Sequence, residues 1–85
     1  MPKSIRSEGL LALGREIVKV RESHGMSQRE FANMIGYRQS FLSKVELGLR
    51  RLDIVEFIVL ARVMKVPASE LLDVVEQATR PEQRI

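Results

Sequence analysis

The chain has no cysteine and no tryptophan, and its 85 residues include only one histidine, one tyrosine and three phenylalanines. Without thiols there is neither a disulfide nor a thiolate zinc site, and a lone His24 does not furnish a conventional metal cage. So few aromatic faces leave no stacking platform for single-stranded nucleic acid. The 45% apolar content must therefore build an aliphatic core. No stretch approaches the ~20 consecutive apolar residues that span a bilayer. The opening MPKSIRSEG is basic but leads into no signal-type apolar run. The glycines lack phosphate-loop spacing. His24 has no acid or thiol companion, and Glu8, Glu16 and Glu22 read as solvated helix charges. These absences point to a cytoplasmic, non-enzymatic protein without cofactor or metal. They also leave oligomerisation as the remaining reinforcement for a single small domain, whose core supplies only ~3–5 kcal/mol.

What is present is unevenly charged. The formal net charge is +3. Between Ser27 and Arg51, Arg29, Arg38, Lys44, Arg50 and Arg51 face only Glu30 and Glu46, whereas acids outnumber bases from Leu52 to Ile85. Such asymmetry suits a molecule that meets a polyanion with one face only.

Apolar residues recur at helical steps throughout, so the expected class is all-α with five short helices. Leu10, Leu13, Ile17 and Val20 mark the first, from Ser7 to about Ser23, with Gly25 placed to end it in a left-handed turn. Ser27-Gln28-Arg29-Glu30 is an S-x-x-E capping box opening the second, which turns Phe31, Ala32 and Ile35 inward and stops at Gly36. The third carries Leu42 and Val45 inward and ends at Gly48. Asp53 caps a fourth, whose core stripe reads Ile54, Phe57, Leu60, Ala61 and Met64, and Pro67 suits the first position of a fifth bearing Leu71, Leu72 and Val75. One domain covers 1–85, with its core at about 7–76 and a frayed polar tail at 77–85.

The second and third helices, joined through Gly36, form a helix-turn-helix pattern, which lets its second helix lie in a DNA major groove. The outward positions of that helix are Arg38, Gln39, Ser40, Ser43 and Lys44, all hydrogen-bond donors and none acidic. Gln, Arg and Lys read adenine and guanine edges there. The helix nevertheless opens badly. Ser, Thr, Asp or Asn is the usual starter, and Arg38 sets a cation at the positive end of the helix dipole. The reading adopted is that Arg38 forgoes about 1 kcal/mol of capping because a cation at that tip reaches a phosphate or a guanine.

Ile17 to Arg21, Gly25-Met26-Ser27-Gln28, Phe31-Ala32, Gly36, Leu42 to Glu46, Gly48, Leu60-Ala61 and Val66 with Leu71 together resemble the Cro/repressor-like (Xre-type) helix-turn-helix regulators. The resemblance runs ungapped from about Leu13 to Leu72 and implies the lambda-repressor-like five-helix fold and double-stranded DNA as partner. It implies base contacts from Gln39, Ser40 and Lys44, with Arg38 and Ser43 beside them. It also implies phosphate contacts from Gln28, Arg50 and Arg51, and a structural salt bridge between Arg21 and Glu46. Three positions depart from the family pattern: Arg38 where Ser or Thr is usual, Phe41 where smaller residues are common, and Leu47 where a polar residue often meets phosphate. Leu47 is accordingly given no contact, and Phe41 stays open between core and a thymine methyl group.

The fourth helix is apolar on more than one face. Val55, Ile58, Val59 and Val63, with Leu72 and Val75, could form an exposed patch of the kind that marks interfaces, here a homodimer contact. A two-fold dimer would read a palindromic operator as a repressor, an activator or a restriction–modification controller. The alternative is the antitoxin of a toxin–antitoxin pair, which would add a protein partner; the short tail favours the regulator.

Overall fold

The computed structural model describes residues 7–85, and the reading of the first six residues as free of a signal lies outside them. Five helices follow in order: α1 (Glu8–Ser23), α2 (Gln28–Ile35), α3 (Gln39–Glu46), α4 (Ile54–Met64) and α5 (Ala68–Ala78). Among the described residues there is no strand.

The helix starts follow local chemistry. Ser7 accepts the Leu10 N–H and caps α1. The expected box at α2 is complete: Ser27 Oγ accepts the Glu30 N–H at 3.1 Å, and Glu30 Oε1 accepts the Ser27 N–H at 2.8 Å. Asp53 makes the same reciprocal pair with Glu56 at the start of α4. Pro67 sits one place earlier than the sequence suggested. It is the N-cap of α5 rather than its first helical residue, because its ψ of 137° is extended. Gly36 ends α2 at φ 75°, a left-handed conformation that a side chain would strain, and so aims the chain into the turn before α3.

The core is one apolar, mainly aliphatic cluster around Ile17, Phe31, Leu42, Val45, Leu60, Met64 and Leu71, all almost completely buried. Phe41 joins it, which settles its open position in favour of packing. Ile54 does not belong to it: that side chain is 80% exposed. The Asp53–Glu56 box starts α4 so early that the stripe Phe57, Leu60, Ala61, Met64 meets the core while Ile54 extends it one turn beyond, at the rim of a groove. Helix α5 runs to Ala78, past the expected core limit, and a turn closed by the Gln83 N–H on the Arg80 carbonyl follows.

Close approach also positions α3. A Cβ at Gly14 would lie 2.3 Å from the carbonyl oxygen of Glu46, so only glycine lets α1 press against the end of α3.

Candidate nucleic-acid interface

Helix α3 spans two turns and buries Phe41, Leu42 and Val45. Burying that stripe leaves Arg38, Gln39, Ser40 and Lys44 exposed and Ser43 at the boundary. All five predicted base-contact residues therefore share the outer side of one helix. Its width, about 10–12 Å with side chains, matches a B-DNA major groove of about 12 Å.

Two helices, α1 and α2, hold this one in place through a chain of side chains. Arg21 on α1 grips Glu46 at the end of α3 with two bonds, Nε to Oε2 at 2.8 Å and Nη2 to Oε1 at 3.0 Å. A third bond, from Arg21 Nη1 to the Met26 carbonyl, ties the guanidinium to the turn before α2. Hydrogen bonding to Glu46 raises the Arg21 pKa above its ordinary value, against the opposing effect of burial. Only 12% of the Arg21 side chain and 5% of the Glu46 side chain remain exposed, so this pair is a shielded one. From Glu46 the chain continues to α2. Gln28 Nε2 donates to Glu46 Oε1 at 2.7 Å, while Gln28 Oε1 accepts from Ser43 Oγ at 2.9 Å and from Gln39 Nε2 at 3.4 Å. Gln28 thus braces α3 directly.

The start of α3 differs from the starts of α1, α2 and α4. Arg38 is the N-cap residue and makes no side-chain capping bond. Arg38, Ser40 and Lys44 have no side-chain hydrogen bond or ion pair among the described residues.

The two loop arginines differ from each other. Arg51 is exposed. Arg50 lies over the Phe41 ring, 5.1 Å from its centroid, donates to the Arg51 carbonyl, and pairs with Glu56 Oε2 at 3.3 Å. Tyr37 meets the same ring edge-on at 4.7 Å. Sequence reasoning missed this platform and missed Glu56. The signal for Glu56 was present, since D-x-x-E from Asp53 is a capping-box spacing. Nothing in the linear pattern linked Phe41 to Arg50.

The predicted dimer residues are spread over α4 and α5. Val55 and Leu72 are exposed, Ile58 and Val59 half-buried, and Val63 and Val75 pack against the core. An open apolar groove of about 470 Å³ runs among Leu10, Phe57, Ile58, Leu72 and Val75, with Ile54 at its rim.

Residues 17–71 match the family model described as "Helix-turn-helix". A protein described as XRE-family like, from Pseudomonas syringae pv. tomato, is 35% identical over 85% of this chain and 88% of its own, with a TM-score of 0.69. The chain belongs to the Xre/Cro-type helix-turn-helix family. Other members with solved structures include the master regulator for biofilm formation SinR in complex with DNA, 31% identical over 72% of this chain and 98% of that one, with a TM-score of 0.66. The restriction–modification controller C.AhdI from Aeromonas hydrophila is 29% identical over 73% and 94%, with a TM-score of 0.68. A comparison with curated proteins gave no match. Family membership makes this a DNA-binding regulator by type. No helix among the described residues is long and apolar enough to cross a membrane.

Proposed function

We propose that this protein is a sequence-specific transcriptional regulator that binds a palindromic operator as a homodimer. In this reading α3 enters the major groove with Arg38, Gln39, Ser40, Ser43 and Lys44 toward the duplex. Gln28, Arg50 and Arg51 then lie beside the backbone. The observation that carries it is a short helix whose outer side bears only donors, held by the Arg21–Glu46–Gln28 chain that fixes its angle to the body. A rigid mount matters because base contacts specify only when the side chains reach the groove in one register.

The second subunit is assigned to the α4–α5 side. Leu72 and Ile54 leave apolar surface wet around the groove, exposed Val55 adds more on α4, and a copy of the same patch would cover it. A two-fold pair would set its recognition helices about 34 Å apart, one DNA turn. The antitoxin alternative uses the same DNA face and gains no observation of its own.

Selection of bound duplexes from a random pool at two salt concentrations tests the reading. It requires a palindromic consensus and affinity that falls steeply with salt. A pool that stays random after selection defeats it. For the dimer, Leu72→Glu should shift the sedimentation of a micromolar sample to the monomer, and an unchanged dimer rules this surface out.

A further inference from the structure

The side of α3 away from Gln28 carries a depression of about 170 Å³ lined by Tyr37, Arg38, Ser40, Phe41, Lys44 and Arg50. Three cations and two hydroxyls surround it, and no carboxylate lines it. Like charges gathered around one cavity repel each other unless an anion enters. We propose that this pocket seats a single backbone phosphate of the bound duplex, and that Glu56 holds Arg50 in place until that phosphate replaces it. The proposal rests on the DNA-binding reading and divides its contact residues in two. Arg38, Ser40 and Lys44 move from base edges to the backbone. Gln39 and Ser43 remain to read sequence with the groups their bonds to Gln28 leave over: the second Gln39 amide N–H, its carbonyl oxygen and the Ser43 oxygen.

Arg50 is the part that makes this a built seat rather than a patch of loose cations. Its guanidinium rests on the Phe41 ring, and Tyr37 supports that ring from the edge. The planar fork is therefore oriented before any ligand arrives, which lowers the ordering cost of binding. Its partner is a weak one. The Arg50 side chain is 40% exposed and that of Glu56 28%, at 3.3 Å, and ion pairs open to solvent contribute little. A phosphate oxygen offers a shorter, charge-assisted and potentially bidentate contact. Glu56 does not collapse when released, because its Oε1 still accepts the Asp53 N–H at 2.9 Å. Arg38 and Lys44 have no partner to give up among the described residues, and the first turn of α3 has no side-chain cap competing for its N–H groups. On the opposite flank the donors of Gln28, Gln39 and Ser43 are already in use between side chains.

Fluorescence anisotropy on the full chain, with a selected duplex and a scrambled one of equal length, tests this. Lys44→Ala and Arg50→Ala should each weaken both duplexes by the same factor, about tenfold. The slope of log affinity against log salt should fall by about one. Glu56→Gln keeps a capping-box residue and should tighten both duplexes about threefold. In the Arg50→Ala background that gain should vanish. A neutral methylphosphonate walked along the duplex should find one position per half-site where wild type loses affinity and Arg50→Ala does not. If Lys44→Ala instead abolishes discrimination at one base pair, the residue reads a base and the seat is wrong. A Glu56→Gln gain that survives without Arg50 overturns the holding role. Should the wild-type protein bind neither duplex, the regulator reading itself fails, an outcome distinct from both.

Discussion

On one flank of α3, Gln39 and Ser43 donate to Gln28, Gln28 donates to Glu46, and Glu46 closes on Arg21. On the other flank Arg38, Ser40 and Lys44 make no such bonds, and Arg50 alone is held, by a ring, the Arg51 carbonyl and a partly exposed carboxylate. The two sides use similar polar side chains for opposite ends. The closed flank spends its hydrogen bonds internally and gains a fixed helix angle. The open flank leaves its charge unsatisfied within the protein and so available to an outside anion.

The contrast breaks most severely at Glu46. Glu46→Ala strands Arg21 and Gln28 together, and removal of one partner from so shielded a pair should cost about 3–5 kcal/mol in urea denaturation. Gly14→Ala attacks the same flank through the backbone. The new Cβ would press on the Glu46 carbonyl, and overpacking should exceed the gain in helix propensity, for a net loss of about 1–2 kcal/mol. On the open flank the sign should reverse. Arg38→Ser supplies the missing cap and should stabilise the fold by about 1 kcal/mol while weakening operator binding. Unchanged binding would sever Arg38 from function. The finest comparison uses two serines on one helix: Ser43→Ala should cost about 1 kcal/mol, whereas Ser40→Ala should stay within about 0.5 kcal/mol. Equal losses would mean that the two flanks are not distinct.

Much of this was legible in one dimension because helix starts and stops are local. Ser27 and Glu30 are three residues apart, and Gly36 needs only its own φ. The donor face of α3 follows from periodicity once Leu42 and Val45 are placed inside. The errors were equally physical. Ile54 fits the stripe of α4, but periodicity cannot tell how closely the neighbouring helices approach, and the side chain stays 80% exposed on an open groove between them. Phe41 could face the core or the duplex on spacing alone. It packs into the core cluster with Tyr37 edge-on against its ring, and its pairing with Arg50 rests on a loop whose path only packing sets.

By itself the sequence determined the five helices, the capping box at Ser27, the cap at Asp53, the charge asymmetry and the membership that joins them, since each depends on residues within a few positions or on ordered motifs. Tertiary structure decided how α3 is held and which of its flanks stays open. Arg21 and Glu46 are 25 positions apart and Gln28 and Ser43 are 15 apart. Whether such donors are consumed or left free depends on distances of about 3 Å that exist only after the helices have packed.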